Sequence, residues 1–162
     1  MVLNMVKQGL FGEVVHCQGG YHHDLRKEVA FGKENRHYRL EQYLTRNCEN
    51  YPTQEIGPIA RVLGINNGNR FVSGASFASR AAGLEHFIRE ERADVEELKD
   101  IRPRQGDIVT TVITCAGGQT VTIRLGTTLP RYYSREFNIH GTKAFYNNDK
   151  DFFVDSTNIN DV

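Results

Sequence analysis

Ile56, Ile59, Ala60 and Leu63 recur at the spacing that lines up apolar side chains on one face of a helix, and Gly64 follows as a stop. The spacing predicts a helix anchored by this stripe. Just before it lies a polar, aromatic turn, Asn47 to Gln54, which leaves Tyr51, Thr53 and Gln54 at the helix's open N-terminal end. Unpaired N–H groups and the positive end of the helix dipole favour oxygen-rich or anionic ligands there. Pro58 has no N–H to give the Gln54 carbonyl, and this keeps the first turn open. A capped surface helix would carry the same residues, and caps are commoner than sites.

The rest of the chain divides by pattern. Val2, Leu3 and Val6 predict a short helix over 2–8 ended by Gly9, a chain start that reads as cut from something longer. Residues 13–19 read as a strand, with Gly19-Gly20 turning the backbone out of the sheet. Residues 27–46 show no clear period and read as a long functional connection, in which Arg36 and Arg39 flank His37 and Tyr38. Residues 70–79 predict a strand with Phe71, Ser73, Ala75 and Phe77 on one face; the small Gly74, Ser76 and Ala78 on the other predict a closely packed backbone. The charged stretch 85–104 reads as a solvated excursion. Residues 107–115 and 119–125 alternate Val, Ile and Thr and meet at Gly117-Gly118, a hairpin; further strands are expected at 137–140, 144–146 and 152–154. The predicted fold class is α+β, an open, predominantly antiparallel sheet with helices on one face, in one domain over 1–162.

Composition narrows the partners. Twenty basic residues match twenty acidic ones, so no basic field points to nucleic acid. No apolar run is long enough to span a bilayer, and no membrane partner is expected. Cys17, Cys48 and Cys115 have neither zinc nor disulfide spacing and read as small apolar fillers. His22, His23 and Asp24 are adjacent, and adjacent side chains in extended backbone point to opposite faces, so a hydrogen-bonding cluster is expected rather than a metal site. Thr110 or Thr111, Thr114, Thr120 and Thr122 leave a sheet face without strong charge, which fits either a homo-oligomer contact or an ordinary solvated surface. In 126–135, Arg131 and Arg135 bracket Tyr132 and Tyr133, the side-chain types that hold a sugar ring or a phosphate. The sequence shows no convincing pair of catalytic carboxylates.

Several stretches together closely resemble glycoside hydrolase family 109: HCQGGYHHDLR (16–26), ENRHYR (34–39), RNCENYPTQEIGPIARVLG (46–64), SRAAGL (79–84), GDIVTTVITCAGGQT (106–120) and TTLPRYYSREFNIHGTK (127–143). That family is a branch of the glucose–fructose oxidoreductase, inositol dehydrogenase and MocA-like family. Its members pair an N-terminal Rossmann domain that holds NAD with a C-terminal substrate domain. The present chain resembles the C-terminal domain alone and has no G-x-G-x-x-G.

The resemblance implies an α-N-acetylgalactosaminidase-like glycosidase in the full-length protein, working by NAD-assisted oxidation, elimination and water addition, with the isolated chain inactive. It implies Tyr21 as an active-site residue, Arg39, Tyr51, Pro52, Thr53 and Tyr133 as substrate-binding residues, and Glu34, Asn35, Arg36, His37 and Tyr38 as the segment that reaches the cofactor. The partners it implies are a glycoside and the protein's own Rossmann domain. One position departs from the family pattern, where the turn reads Y-P-T-H: Gln54 stands at the histidine and cannot carry a proton near neutral pH. An NAD(P)-dependent sugar or polyol oxidoreductase, and a catalytically impaired sugar-binding or dimerisation module, are the alternative readings.

Overall fold

The computed structural model describes residues 1–150 and 152–155. Along them run α1 (Val2–Lys7), β1 (Val14–His22), α2 (Arg26–Ala30), α3 (Arg39–Thr45), α4 (Pro52–Val62), β2 (Phe71–Ala78), α5 (Gly83–Glu91), a 3₁₀ turn (Glu96–Leu98), β3 (Ile108–Cys115), β4 (Thr120–Gly126), β5 (Asn138–Gly141), β6 (Ala144–Asn147) and β7 (Phe152–Asp155). The strands form one open sheet in the order β2-β3-β4-β1-β5-β6-β7. It is antiparallel except where β1 lies parallel to β4, His16 opposite Thr120 and His22 opposite Gly126. The expected α+β fold is therefore present, with the first strand in sequence placed at the sheet's centre.

Helix α4 lies directly on that strand. A Cβ on Gly19 would stand 3.2 Å from Ile59 Cδ1 and 3.4 Å from Glu55 Cβ, so the glycine sets how closely helix and strand approach. Gly20 is small for a similar reason, since a Cβ there would meet the His22 ring at 2.6 Å. These contacts correct the sequence reading of the glycine pair: β1 does not leave the sheet but continues to His22. Ile59 is fully buried and Leu63 nearly so, in a core with Phe11, Cys17, Val121, Ile123 and Ile139.

Two segments read as connections are helical. Residues 27–46 contain most of α2 and all of α3, and 85–104 contains most of α5 and the 3₁₀ turn. With five, seven and nine residues, these helices offer too few apolar positions to show a period. They become helices by burying those positions in one another: Leu25, Val29, Ala30, Leu40, Tyr43, Leu84, Ile88 and Leu98 make a second core beside the sheet.

The C-terminal strands and the Gly117-Gly118 hairpin form as expected, with Gly118 at φ 86°. Strand β2 forms too, but it is exposed from Val72 to Ala78; of its small residues, Ala78 lies close to the backbone at Gly106, where an added Cβ would stand 3.0 Å from that of Ala78. Cys17 and Cys115 are buried as expected; Cys48 is exposed, its thiol 3.5 Å from Asn50 Oδ1, because the turn that carries it runs over the surface. Alternation along the strands puts Phe77, Thr110, Val112, Thr114, Thr120, Thr122, His16 and His140 on the face opposite α4. The His16 and His140 rings are 5.4 Å apart, and burial, reinforced for His16 by its neighbour, pulls both below the ordinary histidine range.

Candidate functional site

At the C-terminal end of β1 the chain gathers rings and guanidinium groups. Tyr21 and Tyr51 lie with ring centres 4.7 Å apart. The Arg135 guanidinium sits 4.9 Å from the centre of the Tyr21 ring and 5.2 Å from that of Tyr133, whose edge meets His23 at 5.6 Å. On the other side, Arg39 Nε donates to the Tyr51 hydroxyl at 2.8 Å, and its guanidinium also pairs with Glu28 and lies 2.8 Å from His37 Nε2. His37 in turn stacks on Tyr38, ring centres 4.6 Å apart. Four residues picked from sequence, Tyr21, Arg39, Tyr51 and Tyr133, thus belong to one continuous surface.

The turn that presents Tyr51 is pinned from below. Buried Gln105 accepts the Cys48 backbone N–H at 3.1 Å and the Asn50 side-chain amide at 2.8 Å, while Asn47 Oδ1 accepts the Gly106 N–H at 3.0 Å. Helix α4 then opens with Pro52 in its first turn, where a missing N–H costs nothing. Thr53 and Gln54 follow, both exposed, and Gln54 faces a cavity of about 240 Å³ that is also lined by Gly19, Glu55, Pro58, Arg135, Phe137 and Asn148. Burial pushes the Tyr51 phenol up from its ordinary value, against the pull of Arg39. Burial also opposes the Arg39 charge, but its contacts with Tyr51 and Glu28 outweigh that and hold it firmly protonated.

The sequence reading found no carboxylate pair, and the fold makes one. Glu55, only 2 % exposed, and Glu49 bring their carboxyls together behind Tyr21 and Tyr51, and neither has a hydrogen-bond donor in good geometry. Burial, with Glu49 beside it, pushes Glu55 up to about 9; burial pushes Glu49 up to about 7. One signal was visible in the sequence. Glu55, Ile59 and Leu63 are four apart, so the glutamate continues the buried stripe of α4. Arg135, also missed as a site residue, has Nη1 buried without an acceptor.

The segment 34–38 lies in the loop between α2 and α3. Glu34 is bound to Arg92, whose guanidinium also stacks 4.0 Å from the Phe31 ring and donates to the Ala30 carbonyl at 2.9 Å. Asn35 and Arg36 are exposed at the tip, Arg36 at φ 51°, and Tyr38 is 52 % exposed beside Arg39. Among the described residues, no group of three His, Cys, Asp or Glu side chains is placed to hold a metal ion.

Comparison with known proteins follows the same outline. Residues 1–160 match the profile described as glycosyl hydrolase 109, C-terminal domain. The chain belongs to this family. An alpha-N-acetylgalactosaminidase of Tannerella forsythia is 42 % identical over 91 % of the chain and 35 % of its own length, and one of Shewanella oneidensis is 37 % identical over 90 % and 32 %. The family 109 domain described here therefore spans about a third of the length of the curated relatives it matches. Its fold is shared with an inositol dehydrogenase homolog complexed with NAD+ from Azotobacter vinelandii (TM-score 0.61, 12 % identity, 95 % of this chain and 37 % of that one). A levoglucosan dehydrogenase in complex with NADH and levoglucosan shares it as well (TM-score 0.60, 15 % identity, 96 % and 39 %).

Proposed function

We propose that this chain is the substrate-side domain of an NAD-dependent glycosidase acting on α-N-acetylgalactosaminides, joined in the full-length protein to a Rossmann domain. The observation that carries this reading is the surface at the end of β1, where Tyr21, Tyr51 and Tyr133 alternate with Arg39 and Arg135. Aromatic faces pack on the apolar side of a sugar ring, and guanidinium groups bind its hydroxyls. When bound, NAD supplies reversible hydride transfer at C3 of the sugar, which acidifies the proton on C2. Tyr21 is the base for that proton, Arg39 and Tyr51 hold the ring, and Tyr133 closes its far side. Pro52 and Thr53 set the entrance. No pair of carboxylates flanking the glycosidic bond is required by such a route.

The exposed Asn35, Arg36 and Tyr38 fit the rim of a dinucleotide site and can touch its sugar or phosphate; Glu34 and His37 shape the loop through Arg92 and Arg39. The chain has no glycine-rich turn of its own for a pyrophosphate. In the absence of that other domain, the isolated chain is expected to be inactive.

The test is release of nitrophenol from a nitrophenyl α-N-acetylgalactosaminide by the full-length protein, native and with Gln54→His. Release by both without net NADH, at rates within about tenfold of each other, is expected; a hundred- to ten-thousand-fold gain with histidine would make residue 54 the limiting acid–base group. No release from either, with NADH formed from free sugar, would favour the dehydrogenase reading that the structural neighbours represent.

The uncovered sheet face supports a second proposal, a homo-oligomer through that face. Phe77 and Val112 are 69 % and 41 % exposed there, and Arg124, which shares that face, is paired with Glu136. Phe77→Asp is expected to turn a dimer into a monomer in sedimentation equilibrium. Acid should do the same to the native protein. His16 and His140 are neutral at pH 7, and protonating them below their depressed range puts like charges on the contact. An oligomer unchanged by both would place the contact elsewhere.

A further inference from the structure

We propose that Glu49 and Glu55 hold one proton between them and are the acid–base pair of this cleft, in the role that Gln54 cannot fill; the proposal rests on the glycosidase reading above. Glu55 is 2 % exposed on the helix face that lies on Gly19, and its carboxyl oxygens, like those of Glu49, lack a donor in good geometry. A buried, unpartnered carboxylate is costly, and two of them side by side cannot both be charged. Burial and mutual repulsion hold Glu55 up to about 9 and burial holds Glu49 up to about 7, so the pair keeps a proton at neutral pH and titrates as a unit.

The surroundings give the proton a destination. Beside the pair are the backbone N–H groups of Tyr21 from β1 and of Tyr51 from the turn before α4, and the charge of Arg135 from the connection between β4 and β5; Arg39 acts at one remove, through Tyr51. The charge of Arg135 stabilises the pair after it has given up its proton. Glu55 also forms part of the wall of the 240 Å³ cavity beside Gln54 and Asn148.

The pair gives its proton to the glycosidic oxygen as the bond from C1 to that oxygen breaks, while the phenolate oxygen of Tyr21 takes the C2 proton and becomes a hydroxyl. Water then adds its hydroxide to C1 and returns its other proton to the pair, and Tyr21 returns its proton to C2. The net change is one water consumed and one free aglycone formed.

The experiment compares the full-length protein with Glu55→Gln and Glu49→Gln across pH, reading nitrophenol release, NADH formation from free N-acetylgalactosamine, and the infrared band of protonated carboxyl groups. Expected for Glu55→Gln are a fall in kcat of about a hundredfold or more, KM within about threefold of native, loss of the alkaline limb of the pH–rate profile, and loss of an infrared band that the native protein keeps at pH 7. A purely structural carboxyl would not move that limb. Glu49→Gln should keep the band while shifting the limb, because the remaining carboxyl loses its charged neighbour. Native rates in both variants would overturn the proposal and leave the glycosidase reading standing. If the native protein cleaves nothing but reduces NAD with free sugar, the glycosidase reading falls, and the same limb and band decide the pair in the dehydrogenase assay. Silence in both assays, or no carboxyl band at pH 7, overturns the pair as an acid–base group.

Discussion

Asp107→Ala is expected to destabilise the domain by about 3–5 kcal/mol, read as a lower urea midpoint with an unchanged slope. Asp107 is 6 % exposed and stands at a junction. Its carboxylate accepts the Ala82 N–H at 2.8 Å, the Gly83 N–H at 2.9 and 3.0 Å, and the Thr128 hydroxyl at 2.6 Å. Those amides are at the start of α5, where no residue of the helix itself supplies a side-chain cap. Nor can water easily replace the carboxylate. A Cβ on Gly83 would already meet the Thr128 carbonyl at 2.1 Å, so the helix start is pressed against the connection that follows β4. Alanine strands these donors in a buried place, and each unmade bond to a charged acceptor counts for about 1.5–3 kcal/mol. Small domains are stable by only about 5–15 kcal/mol, so the second core, which α5 completes, should loosen first. Asp107→Asn keeps one acceptor oxygen and should lose roughly half as much. A midpoint unchanged by alanine would show that α5 holds its place by apolar contact alone.

Tyr21→Phe in the full-length protein is expected to lower kcat a hundred- to ten-thousand-fold while KM stays within about threefold of native. The substitution isolates one atom. Phenylalanine keeps the ring against Tyr51 and under the Arg135 guanidinium, so the wall of the cleft survives and only the hydroxyl is lost. Arg39→Ala is the contrasting case. It frees the Tyr51 hydroxyl and removes a ring-binding cation, so its effect should fall mainly on KM. A Tyr21→Phe enzyme with native kcat would shift the base to another group, and the carboxyl pair behind the tyrosine would be the first to examine.

The parts of the fold that could be read from sequence are those whose signal is local. Gly117-Gly118 between two Val/Ile/Thr runs specifies its hairpin unaided, and the α4 stripe specifies its helix. Helices α2, α3 and α5 could not be read that way, since Val29, Leu40 and Ile88 become buried only against one another. Gly19 and Gly20 misled for a related reason. Glycine breaks a strand when nothing packs on it and completes one when a helix or a histidine ring does, and the neighbours come from elsewhere in the chain.

The site divides in the same manner. Tyr21, Arg39, Tyr51 and Tyr133 were named through a family resemblance, and the fold then brought them into one surface. Glu49 and Glu55 escaped notice because a six-residue spacing across a helix start has no period, and only the closeness of α4 to β1 buries Glu55. Arg135 was seen as one of two arginines around two tyrosines; its position between Tyr21 and Tyr133 depends on where β4 delivers the chain.

The central place of β1 also has a consequence in time. Its parallel neighbour β4 lies 104 residues further along the chain at the His16–Thr120 pair, and β5, on its other side, comes later still. A ribosome making about 5–20 residues per second leaves the strand that carries Tyr21 without a partner for several seconds. During that interval it is an unpaired edge open to wrong pairings, and so much long-range pairing places folding itself at the slow, millisecond-to-second end of the scale. The cleft is therefore assembled only as the sheet closes, and a nascent chain halted before β4 would display the tyrosine with no pocket around it.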